Sequence, residues 1–199
     1  MPRKRVPQLP AALEPVLTPG EIEARIAALS AQVLKKIKAR ERPVAVVVLQ
    51  GGFFFASDLL RKFPAHLDLE IAFLRCQSYG KETRSSGKVV LLQDLDPEIE
   101  LRGRTVLLID DILDTGRTLK FLVEHLYARG AKRVHTVLLL RKRGVARVRG
   151  VRSNFTGFDV PPKFYVGFGM DWAGRYRELP GLAAVRPEAL RAAKKAARA

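Results

Sequence analysis

Residues Val106–Leu119 read VLLIDDILDTGRTL. The first four are apolar, the character of a strand covered on both faces. Two acids follow, Asp110 and Asp111, then Ile112-Leu113, then Asp114-Thr115-Gly116-Arg117-Thr118. From Thr118 the apolar residues Leu119, Leu122, Val123 and Leu126 recur at helical spacing, and Gly130 supplies a C-terminal stop. A strand running into a polar corner and then a helix is the building unit of an α/β fold. Side chains alternate along a strand, so Asp110 and Asp111 point to different sides. Thr115, Gly116, Arg117 and Thr118 bring free amides, hydroxyls and a cation to a helix N-terminus, where the dipole favours an anion. Gly116 allows close backbone approach or positive φ. Acids beside an anion cradle suit a ligand that carries both phosphate and hydroxyl groups, with Mg²⁺ shared between substrate oxygens and carboxylates.

The same alternation extends outward from this stretch. Thr18-Pro19-Gly20-Glu21 predicts a capped helix start, and Ile22, Ile26, Leu29, Val33 and Ile37 continue the helix to near Arg42-Pro43. Val44–Leu49 (VAVVVL), Thr105–Ile109 and Val134–Leu140 predict buried strands, and Leu69–Leu74 and Val89–Leu92 predict two more. Phe53–Phe63 reads as a helix. The result is an α/β, Rossmann-like domain with a largely parallel central sheet flanked by helices. Residues 1–18 are proline-rich and read as an arm, and residues 19–199 as one domain. In such sheets ligands bind beyond the carboxyl ends of the strands.

Composition sets outer bounds. Lys and Arg number 36 against 20 Asp and Glu, a formal charge of +16 that attracts polyanions. The excess concentrates at Pro2–Arg5, Arg141–Arg152 and Arg191–Arg198, and the terminal runs read as solvated. The single cysteine, Cys76, forms no internal disulfide. No apolar run approaches the roughly 18–20 residues that span a bilayer. A cytoplasmic location and no membrane partner are the expectation.

The whole of VLLIDDILDTGRTL resembles the phosphoribosyl-pyrophosphate motif of type I phosphoribosyltransferases, and the rest of the chain is similar to the hypoxanthine-guanine branch of that family. The resemblance implies a small hood built from the chain ends. It implies that Gln50-Gly51-Gly52 is the pyrophosphate loop, with Gln50 where the family often carries Lys. In the family this loop can hold a non-proline cis peptide, a feature that sequence does not display. Ser78 and Tyr79 would open a lid across Gln77–Lys88. In KFYVGFGMD, Phe164 would stack on a purine, the Tyr165 backbone would read its edge, and Asp171 would approach a second metal or the guanine amino region. Arg177 would bind pyrophosphate. A lysine donor to the purine O6 falls on Lys142, with Arg141 as the next choice.

The reaction so implied joins a 6-oxopurine to phosphoribosyl pyrophosphate, giving nucleotide and pyrophosphate. Asp114 would be the general base toward purine N7. Asp110 and Asp111 would serve ribose hydroxyls and Mg²⁺, and Thr115–Thr118 would hold the 5′-phosphate. A dimer or tetramer is the family's habit. Two alternatives remain: a regulatory RNA-binding protein on the same fold, motivated by the charge, and a transferase for xanthine or another base. Nucleic acid is not the expected partner, because the purine segment matches. A dinucleotide-binding protein is disfavoured, because no G-x-G-x-x-G follows the first strand.

Overall fold

The structure, a computed structural model, describes residues 9–78 and 89–196. Its strands are β1 (Leu13–Leu17), β2 (Val44–Leu49), β3 (Glu70–Ser78), β4 (Val89–Gln93), β5 (Thr105–Leu113), β6 (Arg133–Lys142), β7 (Phe155–Val160), β8 (Tyr165–Val166) and β9 (Leu182–Val185). The α-helices are α1 (Pro19–Leu34), α2 (Phe53–Leu60), α3 (Arg117–Ala128) and α4 (Pro187–Ala196). Six strands form the central sheet in the order β4-β3-β2-β5-β6-β7, parallel throughout except for β4. A second, antiparallel sheet, β1-β9-β8, joins residues near both chain ends into a hood.

Strand parity sorts the core into two layers. Val44, Val46 and Val48 of β2 and Val106 and Leu108 of β5 pack with Leu119, Leu122 and Leu126 of α3. Ala45, Val47, Leu107 and Ile109 pack on the other face with Ile22, Ile26 and Leu29 of α1 and Phe55 and Leu59 of α2. Each fully buried aliphatic side chain contributes roughly 1.5–3 kcal/mol, so both faces of β2 and β5 are committed. Beyond Ile109 the alternation breaks: Ile112 packs with the α1–α2 layer and Leu113 with the α3 layer, and the Asp110 and Asp111 carboxylates, expected on different sides, lie against each other.

Helix α1 begins as its sequence predicts. Thr18 Oγ1 accepts from the Glu21 amide at 3.3 Å, and the Glu21 carboxylate accepts from the Thr18 amide at 2.8 Å. It stops at Leu34 rather than near Arg42, because the chain must turn to enter β2. Ile37 still reaches the core, and Ala39–Glu41 forms one tight 3₁₀ turn. Strand β5 is longer than its apolar run. Pairing with β6 continues to Leu113–Arg141, so Asp110 and Asp111 lie within the strand and not beyond its end. Strand β7 escapes the apolar pattern, since FTGFDV alternates weakly and holds a glycine. Its carbonyls at Thr156 and Gly157 accept from the Arg25 guanidinium at 2.6 and 2.5 Å, which covers an otherwise open edge.

Candidate functional site

The carboxyl ends of β2, β5 and β6 lie side by side at one edge of the sheet. At the β5–α3 corner, Gly116 has φ +81° and caps a helix that no side chain caps. The first-turn amides of α3 therefore keep their donors free for a ligand, and no acidic residue lies in that turn. Thr115 and Arg117 are exposed, and Thr118 is half-buried. The corner is braced from behind. The Val148 amide donates to the Thr115 carbonyl at 3.0 Å. A Cβ on Gly116 would come within 2.8 Å of Val151 Cγ1, so glycine is required by space as well as by φ.

Asp110 and Asp111 are close neighbours. Asp110 is buried, and its Oδ1 accepts from the Asp111 amide at 2.9 Å. Burial pushes its carboxyl well above the ordinary range, and the neighbouring Asp111 pushes in the same direction. Asp111 is also raised by burial, while hydrogen bonds and the Arg177 guanidinium act against the rise. Cys76, in β3 beneath them, is pushed up to about 11 by burial and by the two acids. Such a shift holds the thiol protonated, which lowers its nucleophilicity.

Gln50-Gly51-Gly52 lies at the β2–α2 corner beside these acids. A Cβ on Gly51 would overlap the Asp111 carboxylate, and one on Gly52 would come within 2.8 Å of the Val48 carbonyl. A non-proline cis peptide joins Leu49 to Gln50, at the entry to this loop. Gln50 is exposed and brings no charge. Gly169 approaches this loop so closely that a Cβ there would overlap the Gly51 carbonyl.

Lys142 ends β6, and its Nζ lies 2.7 Å from Asp114 Oδ2. Arg141 takes the opposite direction and clasps Asp159 of β7 through Nε and Nη2 at 2.5 and 2.8 Å. Lys142 is thus the residue of the pair that meets the corner. Asp159 anchors the basic loop from the far side, and burial of the short alternation around it hid that role in the sequence.

The segment from Gly167 to Arg177 is a strained turn. Phe168, Ala173 and Tyr176 all take positive φ, as do Gly167, Gly169 and Gly174. Arg177 holds it closed: Nη1 donates to the Gly169 carbonyl at 2.6 Å, and Nη2 lies 2.7 Å from Asp171 Oδ1. The other oxygen of Asp171 accepts from the Gly174 amide at 2.7 Å. Both groups are engaged within the turn, which the sequence could not reveal. Phe164 is 42% exposed, whereas Tyr165 is buried, with its hydroxyl donating to the Pro161 carbonyl at 2.8 Å. Tyr79 and the expected lid through Lys88 lie outside the described residues, and Ser78 ends β3.

Among the described residues no group of three or more His, Cys, Asp or Glu side chains is placed to hold a metal ion. Two adjacent carboxylates, Asp110 and Asp111, fit the mode in which Mg²⁺ keeps several waters and takes its other oxygens from substrate.

The family model described as the phosphoribosyl transferase domain matches residues 15–171. The hypoxanthine-guanine phosphoribosyltransferase of Dictyostelium discoideum is 40% identical over 178 residues, covering 88% of this chain and 96% of that one. The one from Bacillus subtilis (strain 168) is 37% identical over 172 residues, with 86% and 92% covered. A solved structure of the Trypanosoma cruzi hypoxanthine phosphoribosyl transferase superposes with a TM-score of 0.84 at 30% identity, covering 95% of this chain and all of that one. That structure concerns the role of its C-terminal region in oligomeric state and enzymatic activity.

Proposed function

This chain belongs to the phosphoribosyltransferase family, and from that premise we propose how its cleft works. It transfers the phosphoribosyl group of phosphoribosyl pyrophosphate to N9 of a purine base, releasing pyrophosphate. Hypoxanthine and guanine are the bases. The carrying observation is the Asp114–Lys142 pair beside the uncapped α3 N-terminus. O6 and N7 are neighbours on one edge of a 6-oxopurine. Lys142 Nζ is a donor suited to O6, and Asp114 is an acceptor suited to the N7 proton. The base edge enters between the two groups and replaces their mutual contact with one bond to each.

The other residues position the sugar. The amides and hydroxyls of Thr115–Thr118, with the Arg117 cation, seat the 5′-phosphate at the positive end of α3. Asp110 and Asp111 receive the ribose hydroxyls, and would hold Mg²⁺ together with substrate oxygens; that ion supplies charge neutralisation on the pyrophosphate side. The backbone of Gln50, Gly51 and Gly52 lies against pyrophosphate. Arg177 and Asp171 shape this wall from behind through their mutual pair, rather than standing free in the cleft. Phe164 offers an exposed ring face for the base. Asp114 takes the N7 proton as N9 attacks the sugar carbon, which develops oxocarbenium character.

The test is a base panel of hypoxanthine, guanine, xanthine, adenine and uracil, each with phosphoribosyl pyrophosphate and Mg²⁺, followed for nucleotide product. Nucleotide from hypoxanthine and guanine alone is expected. Preference for adenine or uracil would remove Lys142 from its O6 role.

No helix among the described residues is long and apolar enough to cross a membrane. We propose a cytoplasmic homo-oligomer, a dimer or tetramer. The large apolar side chains Phe53, Ile71 and Phe73 stand exposed on adjoining elements α2 and β3 and suit a second copy. Sedimentation of wild type against Phe73→Glu checks this, with dissociation expected.

A further inference from the structure

Among the described residues a large cavity lies at the opposite end of the sheet from the catalytic residues. Its volume is about 700 Å³, within the range of small-molecule sites. The walls come from the turn after α1, the segment before β5 and the start of β6. Because β2, β5 and β6 are parallel, their first residues share one edge and their last residues the other. Thr105 at this edge and Asp110 are five residues apart on β5, roughly 16 Å at strand rise.

The lining is cationic. Lys36, Lys38, Arg40, Arg42, Arg102 and Lys132 face it, and among the described residues none of the six is in an ion pair. Two further cations are already engaged. Arg104 is fixed to Glu70 at 2.5 Å and to the Arg42 carbonyl at 2.6 Å. Arg133 lies 3.7 Å from Glu41, whose other oxygen accepts from Thr105. The only other acid on the wall, Glu100, lends its backbone carbonyl to Arg104. Arg42 takes φ +45°, a conformation that side-chain-bearing residues rarely adopt, and the Arg104 guanidinium on its carbonyl secures it. The wall is thus built on fixed structural pairs, with the unpaired cations gathered above them. Mutual repulsion opposes such a gathering, and a multivalent anion relieves it.

We propose that this basal cavity is a second anion site, taking a compact ligand with two or more phosphoryl groups. Convergence of cations from three segments on one concavity favours a discrete polyphosphate over a long nucleic acid, which needs an extended stripe of charge. The cavity shares no residue with the catalytic cleft, so occupancy of the two sites is separable.

The probe is inorganic tripolyphosphate, titrated calorimetrically into wild type and into the Lys36→Ala/Arg40→Ala/Lys132→Ala variant. The wild type is measured again with phosphoribosyl pyrophosphate saturating. One equivalent should persist in the wild type under saturation and be absent from the variant, which should keep its transferase rate. Tripolyphosphate should also raise the wild-type Tm more than the variant Tm. Equal isotherms for the two proteins, or loss of all binding under phosphoribosyl pyrophosphate, would overturn the proposal. So would a 20-nucleotide oligouridylate that binds far more tightly than tripolyphosphate through the same three residues, since that result would make the cavity part of a nucleic-acid surface.

Discussion

The β5–α3 and β2–α2 corners stand side by side at the same edge of the sheet, yet they are built from different materials. The first sets side chains around the free amides that open α3: acids at 110, 111 and 114, hydroxyls at 115 and 118, and a cation at 117. The second works almost entirely through backbone. Its glycines at 51 and 52 let the chain press against the Asp111 carboxylate and the Val48 carbonyl, and Gln50 adds no charge. Side-chain chemistry declares itself in a sequence, because the residue types are the function. A backbone corner takes its meaning from neighbours elsewhere in the chain, Asp111 and Gly169 in this case.

The sharpest way to break this contrast is Asp114→Asn. A general base typically contributes roughly 10²–10⁴-fold, so kcat should fall by about that factor with little change in the KM for phosphoribosyl pyrophosphate. Steady-state kinetics decides it, and equal losses in both constants would strip Asp114 of the base role. Gly51→Ala tests the backbone corner. The added methyl must displace Asp111, and misplacement of about 1 Å can cost on the order of 10²-fold, so kcat/KM should drop by that order. An unaffected enzyme would show that the two corners are not coupled.

Thr118→Ala removes one hydrogen bond to a charged phosphate, about 1.5 kcal/mol, and should raise the sugar-phosphate KM roughly tenfold with kcat nearly unchanged. A fall in kcat alone would move Thr118 out of the cradle. The smallest effect is on stability. Burial raises the Asp110 pKa, so its charged form destabilises the fold as pH climbs from the unfolded value through the folded one. Asp110→Asn should therefore raise Tm at neutral pH by about 2–4 °C, by thermal melting, while weakening sugar-phosphate binding. A lowered Tm would mean the carboxylate is stabilised by contacts beyond those it makes with Asp111.

The same division explains what sequence reading reached. VLLIDDILDTGRTL carried strand, acids, cradle and helix together, but simple alternation misplaced the two acids, whose carboxylates meet where the strand's parity breaks. VAVVVL and VHTVLLL were legible as buried strands, since burial on both faces leaves no polar interruption. Strands β7 and β9 were not, because FTGFDV and LAAV draw their pairing from distant partners and not from local pattern. The choice between Arg141 and Lys142 needed Asp159, a long-range partner on that unread strand, to settle which way each side chain turns. The sequence marks Arg177 and Asp171 one at a time, and the fold of the turn shows that they also pair with each other.

Val151 gives the cleft a remote adjuster. Its methyl group stands where a Cβ on Gly116 would go, and the amide of Val148 pins the Thr115 carbonyl from the same flank. A bulkier side chain at 151 would tilt the phosphate seat without altering a single group that touches substrate. Affinity for the sugar is thereby open to tuning from a surface loop, and drift in that loop is checked by a residue whose importance no inspection of the binding groups would disclose.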